Sequence, residues 1–357
     1  MKVIIIQPNI PVYRIAFYKM LYARYQESFE VWYSNDNYGN VTNAGNAEIW
    51  AKGLGPLISI TPWLDFQMGA LSVPVTRKDI VVLSGGPRTI TNILLLLKCR
   101  TIGAKTVWWG HYKSSTTRTW RLKLRMLIAR LSNALLFYNQ YEFDEYIHEY
   151  LQDKHKQVAY LNNTLNTENI QEFRKPYKLV AREKSIVCIG RLVKKSNIRL
   201  LLEVIAELND NTILHLIGDG PEYDALVEIT REYKLSKRVL FHGSLMDEFE
   251  ISKVFNESSI FVFPGSVGLS LVHAMAYGVP SIIHDNVTRH GPEARMHKSG
   301  RTGLTFTEGS RSSLKEAIQN ARIAPLALYS ANSRDLIDKH FRIDQMAGRF
   351  TALIDKL

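Results

Sequence analysis

The stretch from Phe261 to Ile283, FVFPGSVGLSLVHAMAYGVPSII, leaves little choice of local fold. A β-branched and aromatic run leads into Pro264, Gly265, Ser266, Val267 and Gly268; a short apolar helix pattern follows, stops at Gly278, and gives way after Pro280 to a second strand-like run. Strands separated by helices argue for a parallel sheet covered on both faces. Two glycines so close together remove Cβ atoms where a large group would clash. The helix that follows aims unsatisfied N–H groups and the positive end of its dipole at the same loop. A phosphate or a sugar hydroxyl fits such a loop, and so does a tight turn that uses glycine only for a positive φ.

The same alternation runs through the chain. In the first half, Val3 to Ile6, Ile80 to Leu83, Thr106 to Trp109 and Ala134 to Tyr138 read as strands, and Ile15 to Tyr25, Thr89 to Arg100 and Thr116 to Leu131 as helices. The pattern lapses around Phe173 to Lys184, a charged stretch holding Pro176, and then restarts. Strands are expected at Ser185 to Ile189, Thr212 to Ile217, Val239 to His242, Ile260 to Phe263 and Ser281 to His284. Helices are expected between them at Ile198 to Leu208, Pro221 to Tyr233, Glu248 to Asn256 and Ser270 to Tyr277. A chain of 357 residues is too long for one ordinary core and suits two α/β domains of roughly 150 to 180 residues each. Two doubly wound, Rossmann-like domains are expected, residues 1–172 and 185–335, joined by a linker at 173–184.

Ligands of doubly wound sheets bind beyond the carboxyl ends of the strands. Gly190, the Gly218-Asp219-Gly220 turn, Gly243 and the Gly265 to Gly268 loop each directly follow an expected strand. Convergence of these loops on one crevice accounts for them better than chance.

Composition sets the broad class. With 46% hydrophobic and 22% charged residues the chain reads as an ordinary soluble protein, and no apolar run approaches the roughly 20 residues a membrane helix needs. The opening MKVIIIQPNIP has the look of a first buried strand rather than a signal peptide. Cys99 and Cys188 are too few and too distant for a disulfide framework, which suits a reducing cytoplasm, and no Cys/His cluster has metal-site spacing.

The net charge of +11 is concentrated: between Ile80 and Tyr141 there is no Asp or Glu, while Arg88, Lys98, Arg100, Lys105, Lys113, Arg118, Arg121, Lys123, Arg125 and Arg130 fall inside. Within it, Trp120, Leu124, Leu127 and Leu131 share one helix face beside Arg118, Arg121 and Arg125. Such a helix either lies on an anionic bilayer or packs its apolar face on the core. Motifs of nucleic-acid recognition are absent, and no nucleic-acid partner is expected.

The succession IGRLVKK, IGDGPE, FHGSL and FPGSVGLSLVHAMAYGVPSI resembles the C-terminal domain of family 4 glycosyltransferases over Ser185 to Phe306. The first half is similar more loosely, through QPNIPVYRIAFYKML, WWGHY and LNNT. The resemblance implies a GT-B architecture of two Rossmann-like domains facing a cleft, with residues 336–357 forming a terminal helix that crosses back to the first domain. It also implies a nucleotide-diphosphate sugar as donor, UDP-linked ahead of GDP-linked, with no cofactor and no metal.

Carried over position by position, Arg191 is the group that neutralises the donor diphosphate. Where the family has a lysine this chain has Ser196, so Lys195, or Lys194 before it, is expected to bend into that role. Gly265 and His273 stand where many members carry two glutamates, in a PGxVGLxxxH form that a subset shares. His273 then either meets ribose or phosphate or packs inside its helix. Gly190, Gly218, and Gly265, Ser266, Val267, Gly268 and Leu269 are expected on the donor, the last five through backbone N–H groups, with the base near Gly243 and Leu245. Glu293 either supplies a carboxylate in the glutamates' stead or sits exposed in its loop. On the first domain, His111 either faces the transferred sugar or caps a strand at the surface. Lys113 would meet phosphate or membrane; Asn9 would meet the acceptor, and Tyr13 and Arg14 either meet it too or simply begin the helix.

These implications add up to a retaining, metal-independent transferase moving a sugar to a saccharide acceptor, and the basic apolar helix adds the expectation of a lipid-linked acceptor, as in polysaccharide or glycolipid assembly. It would be cytoplasmic and peripheral on the inner membrane face. A nucleotide-sugar epimerase and a non-catalytic nucleotide-sugar-binding subunit are the alternatives.

Overall fold

The computed structural model describes residues 1–34, 48–61, 63–86, 88–113, 119–150, 156–178, 182, 184–208 and 210–357. It divides into two compact units, Met1–Asn163 together with Ile343–Leu357, and Thr164–Arg342. The joint therefore lies before the expected 173–184 linker. The reason is local: α5 (Glu168–Phe173) is sewn to the second unit, Asn256 Nδ2 donating to the Phe173 carbonyl at 2.9 Å and Arg174 Nη1 to that of Ala276 at 2.9 Å.

The first unit runs β1 (Val3–Gln7), α1 (Ile15–Tyr25), β2 (Phe29–Ser34), β3 (Ala51–Leu54), a small antiparallel hairpin of β4 (Leu57–Thr61) and β5 (Leu64–Gln67), β6 (Ile80–Ser84), α2 (Ile90–Ile102), β7 (Lys105–Trp109), α3 (Thr119–Ala129), β8 (Ala134–Phe137), α4 (Gln140–Glu149) and β9 (Gln157–Tyr160). Its parallel sheet has the order β3-β2-β1-β6-β7-β8-β9. The central strands VIIIQ, IVVLS and ALLF are apolar nearly throughout because both faces are covered. On one face α1 packs with α12 (Ile343–Ile354), whose Phe350 meets Phe17 edge-on at 5.6 Å, so the end of the chain returns to the first unit as expected. On the other face Leu95, Leu96, Tyr112 and Met126 form a separate core.

The second unit follows with β10 (Ser185–Ile189), α6 (Ile198–Glu207), β11 (Ile213–Ile217), α7 (Tyr223–Glu232), β12 (Val239–Phe241), α8 (Glu248–Glu257), β13 (Ile260–Phe263), α9 (Leu269–Ala276), β14 (Ser281–His284), β15 (Gly303–Phe306), α10 (Arg311–Ala321) and α11 (Leu326–His340). Its parallel sheet has the order β12-β11-β10-β13-β14-β15 around one continuous core. In both units the chain leaves the first strand toward one sheet edge and later returns to its other side, at β1/β6 and at β10/β13. The loops that follow these strand pairs diverge and leave a crevice, the usual ligand position in such sheets.

The strands β2, β3, β9 and β15 and the hairpin had no counterpart among the expectations. Several carry glycine or charge inside the run, as in AKGL and FEVWYS. The expected basic helix is α3, with Thr116, Thr117 and Arg118 outside the described residues. Its inward face is Leu122, Met126 and Ala129, while Trp120, Leu124 and Leu127 are exposed.

Candidate functional site

At the carboxyl ends of the second sheet, backbone hydrogen bonds lace neighbouring loops together. Gly190 N donates to the Ile217 carbonyl (2.9 Å), Leu192 N to that of Asp219 (3.0 Å), Gly218 N to that of Gly243 (2.7 Å) and Ser266 N to that of Lys195 (3.0 Å). The loops that carry Gly190, Gly218, Gly243 and Gly265 are thus tied to one another, and two of the glycines have specific reasons. Gly218 has φ +138° and a Cβ there would strike the Gly190 carbonyl. Gly265 has no left-handed φ, but a Cβ would collide with the Lys195 carbonyl and the Ser196 backbone. The glutamate of the resembling family has no room at this position.

The β10 loop presents its cations outward. Arg191, Lys194 and Lys195 are exposed, and no carboxylate pairs with them among the described residues. Ser196 is buried, and its Oγ donates to the Arg191 carbonyl at 2.6 Å. That inward hydroxyl closes the loop across Arg191 and Ser196.

Along the β13 loop, His290 does what no sequence motif announced. Its Nδ1 accepts the Val267 N–H at 3.1 Å, its Nε2 donates to the His284 carbonyl at 3.0 Å, and its ring stacks on His284 at 3.8 Å. The Val267 carbonyl in turn accepts from Gly291 N at 2.7 Å. Glu293 is buried, not exposed in its loop, with Oε2 lying 3.8 Å from where a methyl on Gly268 would stand. A carboxylate therefore reaches the loop at the start of α9 from a different segment than in the resembling family. Leu269 and Leu245 are half-buried against the core, the latter on the loop that follows β12.

Burial chiefly, with His284 adding, pushes His290 down to about 4, against weaker opposing effects of the His284 carbonyl, Glu308 and Asp285. Burial likewise lowers His297, and His215 beside His242, to about 4. Between their unfolded value of 6.5 and about 4 the unfolded chain takes up protons that the folded chain refuses. Stability should thus be level above about pH 7 and fall as pH drops through that window, by about 3 kcal/mol for His297 alone. Thermal melts from pH 8 to pH 5 should show a falling midpoint, and His290→Gln should flatten part of the slope. A midpoint that rises on acidification contradicts the assignment.

Two other histidines are each held by a glutamate that sequence reading missed. His273, on α9, packs against α8, its Nε2 2.8 Å from Glu248 Oε1 and its ring stacked on Phe255 at 5.2 Å. The Tyr277 hydroxyl donates to the same carboxylate oxygen at 2.6 Å. His111, just beyond β7, places Nδ1 3.0 Å from buried Glu142 Oε1 and stacks on Tyr138 at 4.4 Å, leaving the ring partly exposed. Glu142 is fixed by Asn139, whose side chain caps α4 by accepting from its N–H. Only its place in the first turn of a capped helix could have suggested Glu142. Lys113, half-exposed, pairs with Glu149 at 2.7 Å and lies over the Tyr112 ring. Asn9, Tyr13 and Arg14 all line the cavity at the carboxyl end of β1, Tyr13 exposed and Arg14 buried.

Residues 169–323 match the family described as Glycosyl transferases group 1. The matched segment covers the laced loops and most of the second unit. The N-acetyl-alpha-D-glucosaminyl L-malate synthase of Bacillus anthracis is 24% identical over 189 residues, 52% of this chain and 49% of that protein. The lipopolysaccharide 1,6-galactosyltransferase of Salmonella typhimurium is 28% identical over 128 residues, 34% of this chain and 35% of that protein. The chain thus spans half or less of the length of these relatives. In fold, HepE of Anabaena, solved in complex with UDP, superposes with a TM-score of 0.71 at 14% identity over the whole of both chains. Sucrose-phosphate synthase from Thermosynechococcus elongatus gives 0.66 at 15%, covering 100% of this chain and 98% of that one. The architecture is that of GT-B glycosyltransferases.

Proposed function

We propose that the protein is a glycosyltransferase that takes a sugar from a nucleoside-diphosphate carrier and passes it to a saccharide acceptor in cell-surface polysaccharide assembly. The observation that carries this reading is the β10 and β13 loop pair within the group 1 domain. There, Arg191, Lys194 and Lys195, exposed and without a carboxylate partner among the described residues, flank a glycine-bounded turn at the start of α9. Relatives named for lipopolysaccharide synthesis and fold neighbours solved with UDP favour the same reading, and UDP over GDP.

In this reading Arg191 and Lys195 neutralise the diphosphate as the bond to the sugar breaks, and the backbone N–H groups from Gly265 to Leu269 bind its oxygens. Glu293 takes the place of the loop glutamate and accepts from a sugar hydroxyl. His111, oriented by Glu142, offers Nε2 to a substrate oxygen. Retention by a front-face route, with the departing phosphate taking the acceptor proton, needs no enzyme nucleophile and no metal ion. The test is a thermal-shift screen over sugar nucleotides followed by product analysis with acceptor. A donor at a thousand times its dissociation constant should stabilise the chain by about 4 kcal/mol. Return of an epimerised sugar nucleotide without acceptor points to the epimerase instead, and binding without turnover to a non-catalytic subunit.

A lipid-linked acceptor is supported by one surface. Arg121 stacks over both Trp63 of the hairpin (5.1 Å) and Trp120 of α3 (5.3 Å), joining exposed Ile60, Trp63, Trp120, Leu124 and Leu127 to basic Lys123. No helix among the described residues is long and apolar enough to cross a membrane, but this patch suits the interface of an anionic bilayer, where each basic residue adds about 1 kcal/mol. The chain should float with vesicles containing anionic lipid, and Trp63→Ala with Trp120→Ala should abolish flotation. Equal recovery in the soluble fraction with and without vesicles removes the membrane assignment.

A further inference from the structure

Arg14, at the end of the loop that follows β1, is 5% exposed. No carboxylate pairs with it among the described residues, and its Nη1 has no hydrogen-bond partner there. Its surroundings are aromatic: the guanidinium lies 4.7 Å from the Trp109 ring centroid, 5.5 Å from Tyr13 and 6.0 Å from Tyr138. Taking an arginine out of water without a counter-ion is costly, and contact with ring faces returns only part of that cost. A position of this kind is stable chiefly when something else completes it.

What is missing is indicated by the cavity of about 220 Å³ that Arg14 lines together with Gln7, Ser84, Trp109 and Tyr138. Two of the residues that line it, Gln7 and Trp109, also hold buried donors, Nε2 and Nε1, without partners among the described residues. The Gln7 amide is oriented by its Oε1, which accepts from the Tyr18 hydroxyl at 2.8 Å. Three donors around one cavity, one of them a permanent cation, are complementary to a group that only accepts and carries negative charge.

We propose that this cavity seats an anionic oxygen group, a carboxylate or a phosphate, carried by the acceptor saccharide, so that charged acceptors are selected over neutral ones. The attribution of the anion to an acceptor rests on the transferase reading; the anion seat itself does not.

The full chain, saturated with UDP to occupy the loops of the second unit, is titrated calorimetrically with glucuronate, glucose 6-phosphate, inorganic phosphate and glucose. Glucuronate or glucose 6-phosphate should bind and glucose should not, and whichever of the two binds more tightly identifies the carboxylate or the phosphate. Arg14→Met should lower that affinity about tenfold or more while leaving the melting temperature unchanged or raised, since it removes an uncompensated buried charge. Trp109→Phe keeps the ring, removes one donor, and should weaken the same ligands, which provides a second reading if Arg14→Met fails to fold. Glucose binding as tightly as its charged analogues, or wild-type affinity in both variants, overturns the proposal. Inorganic phosphate matching glucose 6-phosphate overturns the acceptor assignment. Failure of UDP to bind at the outset counts against the transferase reading alone, because the anion titrations can still be run.

Discussion

Arg191→Ala is expected to lower sugar transfer by about 10²- to 10³-fold, the usual effect of removing one charged donor aimed at developing negative charge. The side chain is exposed and pairs with no carboxylate among the described residues, so its removal should change stability by no more than about 0.5 kcal/mol. A large loss of rate without loss of fold is therefore the signature. Lys195→Ala should give a smaller loss, since the held element of Lys195 is its backbone carbonyl, which accepts from Ser266 N at 3.0 Å whatever the side chain. The measurement is kcat/KM on the best sugar nucleotide from the thermal-shift screen, alongside the melting temperature. An Arg191→Ala enzyme with wild-type kcat/KM would show that the diphosphate lies elsewhere.

Gly265→Glu, which writes back the glutamate of the resembling family, should damage the enzyme and not improve it. The first side-chain atom already collides with the Lys195 carbonyl and the Ser196 backbone, so alanine at this position should be nearly as harmful as glutamate. The cost is about 3 kcal/mol or more, because both partners are backbone and cannot rotate away. The loss should appear as a lowered melting temperature and weakened UDP binding in both variants, separating steric exclusion from missing chemistry. A Gly265→Glu protein that melts like the wild type and transfers faster would mean that the two loops part readily, and that the chain does lack a glutamate there.

Residues that act on their near neighbours were open to reading. The strand-to-helix alternation from Ser185 to His284 is carried by apolar runs and glycine stops, and the observed elements depart from it by a residue or two at their ends. Strand-end glycines were recognisable because each must follow a strand and precede a helix. The shorter edge strands of the first unit were not, since runs such as AKGL hold too little apolar periodicity to stand out.

The amino-acid order alone determined that this chain makes parallel sheets with glycine-bearing loops at their carboxyl ends and a cationic stretch beside one of them, because those properties depend on neighbours within a turn or a strand. Which side chains meet across those loops was decided by tertiary structure. Glu142 lies 31 positions from His111, Glu248 25 from His273 and His290 23 from Val267. Arg14 is left among aromatic rings because β1, β7 and β8 lie close together in one sheet and bring Trp109 and Tyr138 to it. Pairings over such separations are fixed by sheet order and helix packing, whose energies are summed over a whole core and leave no mark in any short window of sequence.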